Sequence, residues 1–270
     1  MSTHAAMTYT VEAYNLSHAS ENKIHDDAIA QKLGFSGGLV PGVEVYAYAC
    51  HLPVARWGRT WLERGRMDCR FLKPVYDGHT AAVSGTEADG GLDITVESEG
   101  ILCATATASL PGSDNPSTTL PSIDAYALRA PPSERPPADE TSLAAGNVLG
   151  ICPFVLTEQL ASQYLGDVRE TDPLYAREGL AHPGQLLRLA NLILRENVVL
   201  PPWIHTGSKV TNYAAGRVGD ELSARGRVSA NYERKGHRLV DIDIVLIANG
   251  ATVLAQVLHT AVYRLRQLAN

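Results

Sequence analysis

A histidine, an asparagine and three carboxylates fall within eight residues at Ser20-Glu21-Asn22-Lys23-Ile24-His25-Asp26-Asp27. Histidine changes charge near neutral pH, so it is the natural group to take or give a proton there. A glycine-rich stretch, Gly34-Phe35-Ser36-Gly37-Gly38, follows and runs through Leu39-Val40-Pro41 to Gly42 and Val43. If a helix opens at that point, the Gly42 and Val43 amides lie in its first turn, without intrahelical acceptors. Aligned with the helix dipole, such amides can hold a carbonyl oxygen that gains negative charge. A histidine beside them could activate water while the amides stabilise an enolate. Each residue also has an ordinary role. Asn22 can cap a helix beginning near Ile24, and Ser20 can do so one turn earlier. Asp26 and Asp27 suit a helix's first turn by charge alone. Gly37-Gly38 suits a turn.

These groups must be carried by regular elements, and the spacing predicts which. Val43, Tyr46, Ala47 and Cys50 recur at helical intervals, and so do Leu186, Leu189, Ala190 and Ile193. Their flanks (Val45, Ala49; Leu187, Leu194) are apolar too, so both helices are expected to be buried over much of their surface. Pro53 is expected to end the first helix, and Pro201-Pro202 to bound the second. Leu92, Ile94 and Val96 alternate with polar residues, as do Ala104, Ala106 and Ala108, around a turn at Glu99-Gly100. Val228, Ala230 and Tyr232 alternate up to Lys235-Gly236. Val240, Ile242 and Ile244 then alternate up to Asn249-Gly250, a strong hairpin signal, before a last strand over residues 251–264.

Each half therefore reads as one long helix followed by an antiparallel meander. Between them, residues 111–146 hold seven of the fifteen prolines and read as a linker. The halves also share punctuation. Pro41 stands 37 residues before Gly78, and Pro183 stands 37 residues before Asp220. Matching turns at matching distance indicate a duplicated unit. The expected organisation is an N-terminal half over 1–110, the linker over 111–146, and a C-terminal half over 147–270. The fold class is α+β.

Asn22, Ile24, His25, Asp27, Gly34, Phe35 and Gly42 together resemble the signature of the MaoC-like hydratase/dehydratase family of hot-dog folds. Phe71-Leu72-Lys73-Pro74-Val75, with Asp77-Gly78, is similar to that family's Phe-Leu-x-Pro-Val strand and turn. The resemblance covers most of residues 9–110. In the second half, Thr171-Asp172-Pro173-Leu174-Tyr175 stands where the motif would be, with Tyr175 in place of the histidine. The resemblance implies a double hot-dog: two long central helices, each wrapped by a curved antiparallel sheet, one chain imitating a dimer. It implies hydration of an enoyl thioester, or dehydration of a 3-hydroxyacyl thioester. His25 would handle the water proton, Ser20 and Asn22 would position water or His25, and Gly42 and Val43 would polarise the carbonyl. The family's acid falls at Ser20, its proline at Lys23, and its histidine before the helix at Pro41. Serine is no carboxylate base, which leaves Asp27, Glu21 or Asp26 as candidate acids. A hot-dog thioesterase or tailoring enzyme, and a non-catalytic acyl-thioester-binding protein, are the alternative readings. His182 is expected to be structural rather than part of a second site. Arg70 and Lys73 are read as solvated charges that could also meet the phosphates of a carrier.

Composition narrows the partners. With 29 acidic and 23 basic residues the net charge is −6, and no basic run reaches five, so nucleic acid is not an expected partner. No apolar stretch approaches the ~18 residues of a membrane span, and the first six residues lack a secretory pattern. Cys50, Cys69, Cys103 and Cys152 form no C-x-x-C unit, which favours reduced thiols in a cytoplasmic protein over a disulfide or zinc framework. No G-x-S-x-G elbow, Walker loop or dinucleotide fingerprint is read here. No cofactor or metal is expected. The expected partner is an acyl thioester of coenzyme A or an acyl carrier protein, bound by a monomeric pseudo-dimer or a homodimer.

Overall fold

The computed structural model describes residues 7–18, 20–111 and 119–266. The first six residues, and positions 112–118 of the expected linker, lie outside them. The first half comprises β1 (Met7–Glu12), a 3-10 turn (Lys23–His25), α1 (Asp27–Lys32), α2 (Gly42–Trp57), α3 (Arg59–Arg64), β2 (Arg66–Phe71), β3 (Thr80–Ala88), β4 (Gly91–Ser98) and β5 (Ile101–Ser109). The second comprises β6 (Val148–Gly150), β7 (Phe154–Val155), α4 (Glu158–Asp167), α5 (Leu174–Glu178), α6 (Pro183–Asn197), β8 (Ile204–Asn212), β9 (Glu221–Arg234), β10 (His237–Ala248) and β11 (Thr252–Arg264).

The alternating residues form strands because one side of each is buried; β3, for example, buries Ala81, Val83 and Gly85 and exposes Thr80, Ala82 and Ser84. The Glu99-Gly100, Lys235-Gly236 and Asn249-Gly250 turns all have positive φ at both residues, which matches the twist of the strands they join. The strands make one antiparallel sheet in the order β1-β3-β4-β5-β2-β8-β11-β10-β9-β6, with β7 also beside β9. Its two halves repeat each other and meet where β2 pairs β8, Arg66 opposite Thr211 through Arg70 opposite Gly207. Helix α2 packs on β1, β3, β4, β5 and β8, and α6 packs on β6, β9, β10 and β11. The two helices also pack on each other. A β-carbon on Gly184 would lie only 2.5 Å from Ala47 Cβ, so glycine there sets their approach. One cluster of buried side chains runs through both halves. This is the expected α+β arrangement, a long helix packed on each half of the sheet.

Two expectations are corrected. Pro53 does not end α2, which continues to Trp57. Proline removes one amide bond, but Pro53 and its neighbours Leu52 and Val54 are buried, and that packing holds the last turn. The repeat is also shifted by one residue. Pro41 caps α2 and His182, not Pro183, caps α6. The isolated bridges Leu39–Tyr76 and Leu180–Arg217 each close the same 37-residue spacing. Both helices are buried over much of their surface, as expected; α2 is the more enclosed, from Val43 to Val54, with Ala55 and Arg56 exposed in its last turn. Helix α6 buries Leu187, Ala190 and Leu194 but leaves Gln185, Leu186 and Arg188 partly exposed.

Candidate functional site

His25 ends the 3-10 turn and is held on three sides. Its backbone carbonyl accepts from Asn15 Nδ2 at 2.9 Å. Its Nδ1 lies 2.6 Å from the Leu39 carbonyl oxygen, which can only accept. Nδ1 therefore carries the proton. Its Nε2 lies 3.3 Å from Asn22 Nδ2. The Asn22 amide is itself oriented by the second half: Nδ2 donates to the Trp203 carbonyl at 3.0 Å, and Trp203 N donates to Oδ1 at 3.2 Å. Both ring contacts thus require the same tautomer, with a lone pair on Nε2. Burial pushes the His25 pKa down to about 4, against the Leu39 bond, so the ring is neutral over the physiological range.

The glycine-rich stretch is what brings Leu39 to His25. Gly38 passes so close that a β-carbon on it would lie 2.3 Å from the His25 carbonyl oxygen. Asp27 accepts from the Gly38 amide at 2.7 Å and so ties the stretch down. Helix α2 then begins at Gly42. Among the described residues the Gly42 and Val43 amides have no hydrogen-bond acceptor.

Two cavities meet at His25. One, of about 490 Å³, is walled by Ile24, Val45, Phe71 and Val262 and reached past Lys73, Arg234, Lys235 and His237; among the described residues no carboxylate lines it. The other, of about 350 Å³, lies between α2, α4 and α6 and is lined by Ser20, Val43, Glu44, Tyr164, Arg188 and Leu189. Asn22, His25, Pro41, Asn191 and Trp203 line both. The fold thus assembles His25, Asn22, Ser20, Gly42 and Val43 around joined cavities.

The expected acids are engaged elsewhere. Glu21 pairs with Arg135 at 2.9 Å, Asp26 caps α1 through Ile29 N, and the exposed Asp27 holds Gly38. Ser20 caps no helix; its hydroxyl donates to the Asn22 carbonyl at 3.2 Å. Arg70 is exposed on the sheet near Asp68 and lines neither cavity, whereas Lys73 stands at the mouth of the first. His182 is buried and caps α6 by accepting from Gly184 N, a structural role. The letters of Gly34-Phe35-Ser36-Gly37-Gly38 do spell the G-x-S-x-G pattern, but Ser36 is exposed in a bend, not between strand and helix, so no elbow forms.

Three residues were missed. Glu44, in the first turn of α2, is 0 % exposed, and among the described residues neither carboxylate oxygen has a hydrogen-bond partner. Its signal was a single charge inside an otherwise apolar run, Val43 to Cys50. Trp203 had no local signal. Neither had His205, whose Nδ1 lies buried without a partner 3.1 Å from where a β-carbon on Gly42 would stand. His205 Nε2 bonds Ser208 Oγ at 2.8 Å, and Ser208 Oγ bonds His259 Nδ1 at 3.0 Å. The two rings stack 4.2 Å apart.

The second half has an acid at the spacing that Ser20 holds in the first. Glu170 stands five residues before Tyr175, as Ser20 stands five before His25. Burial would raise the Glu170 pKa. Contacts from His182 and His51 and the Asp172 amide outweigh it and hold the carboxyl well below the usual range.

No family model matches the sequence, and no curated protein matches it. Solved structures do. A conserved hypothetical protein of Mycobacterium tuberculosis, described as having a double hotdog fold, superposes with a TM-score of 0.64 over 97% of this chain and 96% of its own, at 16% identity. A Chloroflexus aurantiacus protein assigned as a MaoC domain dehydratase gives 0.60 over 97% and 95%, at 12% identity. A Lactobacillus plantarum protein assigned as an oleoyl thioesterase gives 0.50 over 98% of each chain, at 9% identity. At these identities the likeness shows the fold, a double hot-dog.

Proposed function

We propose that this double hot-dog chain is a hydratase/dehydratase, adding water to an enoyl thioester or removing it from a 3-hydroxyacyl thioester. The observation that carries the reading is the fixed tautomer of His25. Its unprotonated Nε2, which accepts from Asn22 Nδ2 at 3.3 Å, stands where two cavities meet, beside the open end of α2. A neutral imidazole with its lone pair on Nε2 can take a proton from water at neutral pH. The Gly42 and Val43 amides would accept the charge that moves onto the thioester oxygen when hydroxide adds to the β-carbon. The cationic, acid-free mouth of the larger cavity suits a phosphate-bearing carrier. The acyl group would then lie in the cavity between α2 and α6.

The test is turnover of crotonyl-CoA and longer trans-2-enoyl-CoA thioesters by the wild-type chain and by His25→Ala. The substitution is expected to lower kcat by about 10²–10⁴-fold. Equal activity in the two proteins refutes the assignment.

Ser20, in place of the acid, supports a second reading, a thioesterase on the same cavities. It predicts release of free thiol from saturated acyl-CoA without hydration of an enoyl one. Acyl-thioester binding with neither reaction would leave a carrier or scaffold role.

A further inference from the structure

Resting on the hydratase reading, we propose that Glu44 supplies the catalytic carboxyl missing at Ser20, giving a proton to the substrate's α-carbon while His25 takes one from water. Glu44 shares its cavity with His25, Asn22 and Ser20. Side chains on a helix lean toward its N-terminus, so its carboxyl leans toward the end where the Gly42 and Val43 amides would hold the carbonyl. The α-carbon is the atom next to that carbonyl. A fully buried carboxyl with both oxygens unbonded is costly in a structural role. No packing need explains it, since a leucine would fill such a site without that cost.

The groups facing Glu44 come from three elements. Arg188 on α6 has its Nε 3.6 Å from Oε1, an ion-pair distance too long for a hydrogen bond. Tyr164 and Asp167 lie on α4 and line the same cavity. Tyr48 lies on α2 itself and binds the Tyr14 amide. Burial outweighs Arg188 and pushes the Glu44 pKa up to about 7, so a proton is available on it at neutral pH and below.

The step balances. His25 Nε2 removes a proton from water as the oxygen bonds to the β-carbon. The double-bond electrons move through the α-carbon onto the thioester oxygen. The enolate then collapses as the α-carbon takes the Glu44 proton. Solvent returns the proton from His25 to the Glu44 carboxylate, and one water has been added. Dehydration is the reverse.

The experiment compares wild type, Glu44→Gln, His25→Ala and the double variant Ser20→Asp/Glu44→Gln on trans-2-enoyl-CoA thioesters, with pH profiles and thermal melts. Glu44→Gln keeps the shape and removes the buried charge, so it should melt no lower than wild type. Its kcat is expected to fall about 100-fold or more, with KM within a few-fold. The alkaline limb of the wild-type profile, near pH 7, is expected to disappear. Adding Ser20→Asp should return part of the lost kcat. A Glu44→Gln enzyme with wild-type kcat and an intact alkaline limb overturns the role of Glu44 alone. A wild type that hydrates no enoyl thioester, or an undiminished His25→Ala, overturns the hydratase reading and this proposal with it.

Discussion

Asn22 and Trp203 exchange two hydrogen bonds across the junction of the halves, side chain to backbone in both directions, at 3.0 and 3.2 Å. The pair lies 181 residues apart in sequence. It fixes which end of the Asn22 amide faces His25, and so which ring nitrogen is left as a base. The histidine of one half is thereby set by the backbone of the other.

Asn22→Ala removes that brace. It leaves the Trp203 N–H and C=O without their partner, at a cost of about 1–3 kcal/mol for an unsatisfied buried group. The midpoint of urea unfolding is expected to drop accordingly. Turnover is expected to fall as well, by up to about 100-fold if the ring moves by ~1 Å. Asn22→Ala with unchanged midpoint and unchanged kcat would show that the brace is idle.

Gly38→Ala is expected to injure the site from the opposite side. The new methyl would stand 2.3 Å from the His25 carbonyl oxygen, a backbone atom that cannot swing away. Forced repacking of this kind costs roughly 1–3 kcal/mol. A crystal structure of the variant should show His25 and Leu39 drawn apart. An undisturbed loop would show that the space is more forgiving than its geometry.

The mouth of the larger cavity makes a separate claim. Arg234→Ala/Lys235→Ala is expected to raise KM for CoA thioesters by roughly 5–30-fold, at up to ~1 kcal/mol for each exposed charge. The effect should shrink at high salt. Thioesters of N-acetylcysteamine carry no phosphate, and their KM should not move. A parallel rise for both substrates would assign the change to shape.

Stability should weaken steeply on acidification. His25 and His259 titrate near 4 and 3 when folded, against 6.5 ordinarily, because burial disfavours their charged forms. His182 and His205 are lowered for the same reason. A depressed histidine contributes stability that is whole above 6.5 and is lost as pH falls toward the folded value. Glu44 has the opposite sign. Its carboxyl is raised to about 7 from 4.5, so its contribution is present below 4.5 and lost as pH rises to about 7. The four histidines, joined below 4.5 by Glu170, whose carboxyl is held down in the fold, oppose Glu44. Denaturant unfolding between pH 7 and 4 should therefore show a net fall, steeper in Glu44→Gln. A flat profile would mean that these histidines take up protons while still folded.

The sequence alone determined the two-fold repeat, the hairpin turns, the start of α2 at Gly42 and the local motif that ends in His25. All of these are written in short-range spacing: a turn needs two residues, and a helix face needs three or four. It misjudged Pro53 because one lost backbone bond is outweighed by burial that the local pattern does not show. Only the tertiary structure decided what the motif does. Glu44 reads in sequence as an ordinary first-turn acid, and its isolation appears once α4 and α6 close over it. Trp203 and His205 reach the site only because β2 and β8 join the halves into one sheet. Local periodicity states which way a side chain points along its own element. It does not state what another element brings to meet it, and at this site that meeting fixes the tautomer, the cavities and the buried acid.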